Sequence, residues 1–136
     1  MTAQFHVRSI GVVQSTLREI GAAPLQAHEG APDAWLVFDD SVSEALQSLA
    51  PGDEVLLLTW LDRADREVLS VHPRGDPRNP ITGVFSTRSP DRPNPIGLHR
   101  VTITARDGDR VRVEALEAID GTPIIDVKAT LGTRDR

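Results

Sequence analysis

Ten consecutive residues, Arg88-Ser89-Pro90-Asp91-Arg92-Pro93-Asn94-Pro95-Ile96-Gly97, hold three prolines, two arginines and an asparagine. Each proline fixes φ and removes a backbone N–H, so this stretch is rigid loop rather than ordinary sheet. It closes a longer segment, Pro73 to Pro95, that carries six of the ten prolines together with Arg74, Arg78, Arg88 and Arg92. A stiff loop bearing fork-shaped guanidinium donors suits a planar or anionic ligand. The plainer alternative is a stiffened turn whose arginines pair with neighbouring acids such as Asp91. The density of donors on a fixed backbone favours binding.

Other chemistry-bearing residues say less. His6, His28, His72 and His99 lack metal-ligand spacing and read as surface or loop histidines. The absence of cysteine excludes thiol catalysis, thiolate zinc sites and iron-sulfur clusters, and no metal is expected. Trp35 and Trp60 lie in apolar runs and read as core. Arg63-Ala64-Asp65-Arg66 reads either as a solvated charge cluster or as an ion network at a dimer interface, the latter being preferred.

Charge narrows the partners. The chain of 136 residues has a net charge of −5, yet residues 62–100 carry 7 Arg against 5 acids while residues 1–61 carry 2 Arg against 8 acids. An arginine island in an acidic protein argues against tight, sequence-blind nucleic-acid binding, which needs many cations on phosphates. A local anionic ligand remains open. No basic leader with an apolar stretch opens the sequence, and no run nears 18 apolar residues, so a cytoplasmic protein without a membrane span is expected.

The elements that must position the loop are mostly strands. Phe5 to Val13 reads as an opening strand, Trp35 to Phe38 as a short one, and Val55 to Leu61 as a central strand covered on both faces. Val68 to Val71, Thr82 to Ser86, Leu98 to Ala105, Val111 to Ala118 and Ile124 to Val127 follow, with a hairpin turn at Asp107-Gly108-Asp109. Ser41 and Glu44 form a capping box ahead of Val42, Ala45, Leu46 and Leu49, which predicts one short amphipathic helix ended by Pro51-Gly52. Strands outnumber helices too heavily for a doubly wound nucleotide-binding fold, and neither G-x-G-x-x-G nor a Walker pattern occurs. The expectation is a mainly β fold, a barrel or closed sheet, in one domain over residues 1–136 with its core in 5–131.

Gly83-Val84-Phe85-Ser86-Thr87 leads into the proline-rich block, and Ile96-Gly97-Leu98 closes it. Together with Asp120-Gly121-Thr122-Pro123-Ile124-Ile125-Asp126-Val127-Lys128, this stretch closely resembles the signatures of the TsaA-like, TrmO-type tRNA methyltransferase family. The resemblance covers residues 7–131 in order, including Ile10-Gly11-Val12-Val13 and Trp60 to Arg66. It implies a single-sheeted β-barrel that binds S-adenosyl-L-methionine near a homodimer interface. It further implies methyl transfer to N6 of threonylcarbamoyladenosine beside a tRNA anticodon.

Carried onto this chain, the resemblance implies cofactor contacts at Pro24-Leu25-Gln26, Glu54-Val55, Arg88, Leu98 and Asp120-Gly121-Thr122-Pro123. The chain departs from the family pattern at Leu25, at Asp53-Glu54 and at Ala129-Thr130. Asp120 is then a candidate to stabilise a sulfonium, Arg88 and Arg92 to hold a carboxylate or phosphate, and Asn94 to bond an adenine edge. Arg92, Asn94 and Asp120 are accordingly the expected catalytic residues. Two alternatives stay open: the same reaction on a small molecule or another modified nucleotide, and a cofactor-binding module without catalysis.

Overall fold

The computed structural model describes residues 2–18 and 30–131. Six strands close into an antiparallel barrel: β1 (Gly11–Gln14), β2 (Ala34–Phe38), β3 (Glu54–Trp60), β6 (Ile96–Asp107), β7 (Arg110–Val113) and β8 (Pro123–Ala129). Their order around the barrel is β1-β2-β7-β6-β3-β8, closed where Gly11 faces Ile124 and Val12 faces Pro123. Closure removes the open edges that a six-stranded sheet would otherwise expose. The two short strands β4 (Ser70–Val71) and β5 (Thr82–Gly83) pair outside the barrel.

Period-2 alternation fills the interior. Val13, Leu36, Leu57, Val101, Ile103, Val111, Val113 and Ile124 point inward and are fully or almost fully buried. β3 is central, as its apolar run predicts, since it pairs with β6 along its whole length and with β8 from Val55 to Thr59. Its second face departs from expectation: Val55, Leu57 and Thr59 are buried, whereas Leu56, Leu58 and Trp60 are only half-buried. β6 is longer than predicted because it serves two partners. Residues 96–102 pair with β3 and residues 103–107 with β7, with a bulge between Ile103 and Ala105, and the strands are joined by the expected turn, where Gly108 takes φ 61°.

Three expectations are corrected. The opening strand begins at Gly11 rather than Phe5, and Phe5 is 89% exposed. Gly11 is required there, because a Cβ would lie 2.5 Å from Val37 O. The predicted amphipathic helix is a 3-10 segment, Asp40–Leu46, kinked at Val42, and its Asp39 cap makes no side-chain bond. Ser43, not Ser41, does the local bonding, its Oγ lying 2.7 Å from Asp109 Oδ1 and 2.9 Å from Asp40 O. A seven-residue segment is too short for an α-helix to repay its nucleation, and the tighter 3-10 form is its usual outcome. Finally, Trp35 and Trp60 are not core. Both are half-buried on the outer face, with Arg110 4.3 Å from the Trp35 ring centre and Arg66 5.2 Å from that of Trp60.

Registers sort the loops by end. Trp60 faces Ile96, Val12 faces Pro123, Gln14 faces Trp35 and Ala34 faces Val113. One rim therefore carries the connections 61–95 and 114–122. The opposite end carries the 3-10 segment, Gly52 to Glu54, the Gly108 turn and Ala129.

Candidate functional site at one rim of the barrel

The proline-locked wall is fastened to the barrel from three directions. Leu61 N–H donates to Pro95 O at 2.8 Å, and Ile96 N–H turns back onto Asn94 O at 2.7 Å. Arg66 Nε donates to Pro93 O at 2.7 Å and its Nη2 to Asn94 Oδ1 at 3.1 Å, while the same guanidinium lies over Trp60. Asp91 Oδ1 accepts from Asp65 N–H at 2.9 Å. Asp65 and Arg66, expected at an interface, thus clamp the wall within their own chain. Asn94 stays exposed, with its carbonyl oxygen engaged and its amide nitrogen the group left to meet a ligand.

The two arginines of the motif do different work. Arg92 Nη2 donates to Val84 O and Thr87 O and Nη1 to Thr87 O, so this side chain ties the Val84–Ser86 turn to the wall. Those donors serve the loop rather than an open face. Arg88 is exposed and makes one hydrogen bond, Nη2 to Leu98 O at 3.2 Å. Its remaining donors suit an incoming anion.

The Asp120-Gly121-Thr122-Pro123 turn is joined to the end of β1. Asp120 N–H donates to Leu17 O, Gly121 N–H to Val13 O and Thr122 N–H to Ile119 O, and Gly121 takes φ 83°. With its three N–H groups spent, the turn offers only oxygens to a ligand, which suits cationic or N–H-bearing groups. Asp120 itself is partly committed: Oδ1 accepts from Ser15 N–H at 2.9 Å, and Oδ2 lies 3.6 Å from Arg18 Nη1. Thr122 is buried and serves the turn through Ile119 O.

His99 is the residue that the sequence reading missed. Read as a surface histidine, it is 6% exposed inside this end of the barrel. Its Nε2 lies 2.8 Å from Thr59 Oγ1 and its Nδ1 2.6 Å from Glu117 Oε1. Strand parity was the available signal: His99 shares its face with the core residues Val101 and Ile103. Burial pushes the Glu117 carboxyl up, but the His99 hydrogen bond and charge, its own backbone bond and the Arg88 charge outweigh that and hold it below the usual range. Glu117 is thus an ionised, half-buried carboxylate beside the wall. Gly97 packs directly over this network; a Cβ there would fall on Thr59 Oγ1 and lie 2.8 Å from His99 Nε2.

Of the remaining expected contacts, one group cannot be placed and the other does not join this rim. Pro24, Leu25 and Gln26 lie outside the described residues. Glu54 and Val55 sit at the opposite end, where Glu54 pairs with Arg100 at 2.8 Å and Val55 is buried in the core. They line a cavity of about 820 Å³ there, walled by Phe38, Val42, Leu46, Leu49 and Val127 among others. Among the described residues no group of three or more His, Asp or Glu is arranged to hold a metal. No helix among them is long and apolar enough to cross a membrane.

The closed antiparallel barrel carries a proline-locked, arginine-bearing wall and an Asp-Gly-Thr-Pro turn at one rim. Residues 12–136 match the family model of the tRNA-methyltransferase O N-terminal domain, and the chain belongs to this family. It is 37% identical over 129 residues to a probable S-adenosyl-L-methionine-binding protein of Archaeoglobus fulgidus, covering 95% of this chain and 35% of that protein. It is 45% identical over 96 residues to a similarly described protein of Methanocaldococcus jannaschii, covering 68% and 75% of the two chains. The crystal structure of TrmO from Pseudomonas aeruginosa superposes with a TM-score of 0.76 at 28% identity, covering 98% of this chain and 59% of that one. The chain thus spans little more than a third of the first relative's length and about three fifths of the TrmO chain.

Proposed function

We propose that this chain is an S-adenosyl-L-methionine-dependent methyltransferase that binds its cofactor at the rim formed by Arg88 to Leu98 and Asp120 to Pro123. The finer reading is methylation of N6 of threonylcarbamoyladenosine in tRNA, by a cytoplasmic homodimer. The observation that carries it is the convergence at one rim of an exposed guanidinium (Arg88) and an oxygen-presenting turn. That donor set fits a ligand bearing both an anionic carboxylate and cationic ammonium and sulfonium groups. Such a ligand supplies an electrophilic methyl group.

The chain's own task is then placement. Methyl transfer needs donor and acceptor in line and no covalent nucleophile, and orientation can supply roughly 7–11 kcal/mol of the barrier. Arg88 holds the carboxylate end. The turn oxygens face positive charge that must be kept in place until the methyl leaves. Asn94, fixed between two prolines and clamped by Arg66, presents its amide nitrogen to an adenine edge. Arg92 contributes by keeping the loop in shape. Leu69, Ile81, Phe85, Ile96 and Leu98, all in or just after the 61–95 connection, are exposed, which supports a second copy as the cover of this rim.

Calorimetry with S-adenosyl-L-methionine tests the cofactor. Saturable one-site binding is expected, and its absence overturns the reading. Methylation of threonylcarbamoyladenosine-bearing tRNA tests the acceptor. The net charge of −5 favours a second reading, a smaller acceptor on the same cofactor site. Cofactor binding without tRNA methylation would select it.

A further inference from the structure

The Thr59, His99 and Glu117 side chains form a buried chain of hydrogen bonds that no step of the proposed reaction uses. It crosses three elements, β3, β6 and the 114–122 connection, directly beneath the wall. His99 is fixed on one side by Thr59 at 2.8 Å, on the other by Glu117 at 2.6 Å, and from above by Gly97. Glu117 has two neighbours that draw on its carboxylate. It is hydrogen-bonded to His99 and feels the charge of Arg88, yet no ion pair within 4.0 Å joins it to Arg88. Arg88 instead spends one N–H on Leu98 O, the residue next to His99 in β6.

An arginine meant to receive an anion is disabled by a carboxylate that reaches it first. We propose that His99 is a positioning residue: by binding the Glu117 carboxylate it keeps Glu117 off Arg88, leaving that guanidinium open to an anionic ligand group. The inference rests on the reading that Arg88 holds the carboxylate end of the cofactor. It adds what determines whether Arg88 is available. Replacing His99 frees Glu117 to close a full ion pair with Arg88, and removing the Glu117 charge as well undoes the damage.

The test compares wild type, His99→Leu, Glu117→Gln and the double variant by calorimetry with S-adenosyl-L-methionine, with thermal unfolding as the fold control. His99→Leu is expected to weaken binding about tenfold, Glu117→Gln to leave it unchanged or tighter, and the double variant to return to within about twofold of wild type. A purely structural role of His99 predicts no rescue, because the second substitution removes another native bond; failure of rescue overturns the proposal. Should His99→Leu not fold, Glu117→Gln decides alone, since weaker binding in that variant means that Glu117 does not compete for Arg88. Phenylglyoxal modification of Arg88, followed by peptide mass spectrometry without any cofactor, separates this inference from the reading beneath it. Slower modification in His99→Leu, restored in the double variant, supports the proposal even if wild type fails to bind the cofactor. Equal rates in all four proteins overturn it.

Discussion

The two ends of this barrel are built from the same six strands, yet they differ in how their polar groups are used. At the end that carries the wall, polar side chains fix backbone: Arg66 holds Pro93 O, Arg92 holds Val84 O and Thr87 O, and the Asp120 carboxylate holds Ser15 N–H. Little there is left to move, and the guanidinium of Arg88 stands out as exposed. At the other end Arg106 likewise reaches back to Leu46 O and Leu49 O and Ser43 to Asp109, while exposed pairs, Glu54 with Arg100 and Lys128 with Asp126, stand near an apolar cavity. Both ends are tied together; what differs is that one presents an exposed guanidinium on a proline-locked loop and the other an apolar hollow.

The largest effect is expected from the position where the wall touches the core. Gly97→Ala puts a methyl onto the bonded Thr59 and His99 side chains, which cannot move aside without breaking their contact. A loss of about 1–3 kcal/mol in stability is expected, of the size seen on overpacking a core, and urea unfolding measures it. The same variant should lose cofactor affinity, because Leu98 follows Gly97 and its carbonyl holds Arg88. An unperturbed protein would mean that the wall does not lean on the interior.

Arg88→Ala comes next. Losing a charge-assisted hydrogen bond of about 1.5–3 kcal/mol weakens S-adenosyl-L-methionine binding by at least about tenfold, with the melting temperature nearly unchanged because the side chain is exposed. Unaltered affinity would remove the anchor from this end of the barrel.

What could be read in advance follows from how local each signal is. β3 and the Asp107-Gly108-Asp109 hairpin were legible because an apolar run and a turn dipeptide act within a few residues. The rigidity of Pro90 to Pro95 was legible for the same reason. The reach of Arg66 to Asn94, 28 residues away, was not, since nothing near either residue records it. The capping box at Ser41 misled because a helix signal needs length to matter, and the segment ends before an α-helix can propagate. His99 was recoverable from parity alone, but its partner Glu117 comes from a connection whose path only the closed barrel fixes. Glu54 was placed with the cofactor residues by resemblance, and the registers put it at the other end.

A smaller effect separates the buried acid from the exposed ones. The Glu117 carboxyl is held below its ordinary value in the folded chain, so the unfolded chain takes up its proton first as pH falls. Its contribution to stability is complete above that unfolded value and is lost as pH drops through the folded one. Glu117→Gln should therefore cost stability at pH 7 and converge on wild type in acid. Parallel curves for the two proteins at every pH would show that the His99 pairing adds nothing to folding.

The smallest effect is the most discriminating between the two ends. Glu54→Gln removes one partner of an exposed ion pair whose side chains are 45% and 63% accessible, and such pairs contribute about 0–1 kcal/mol. Stability should barely change, and cofactor affinity should not change at all, because Glu54 lies at the far end of β3 from the wall. If affinity fell several-fold instead, the cavity of about 820 Å³ that Glu54 borders would be the cofactor's place. The rigid rim would then have to serve the acceptor, for which the clamped amide of Asn94 is already suited.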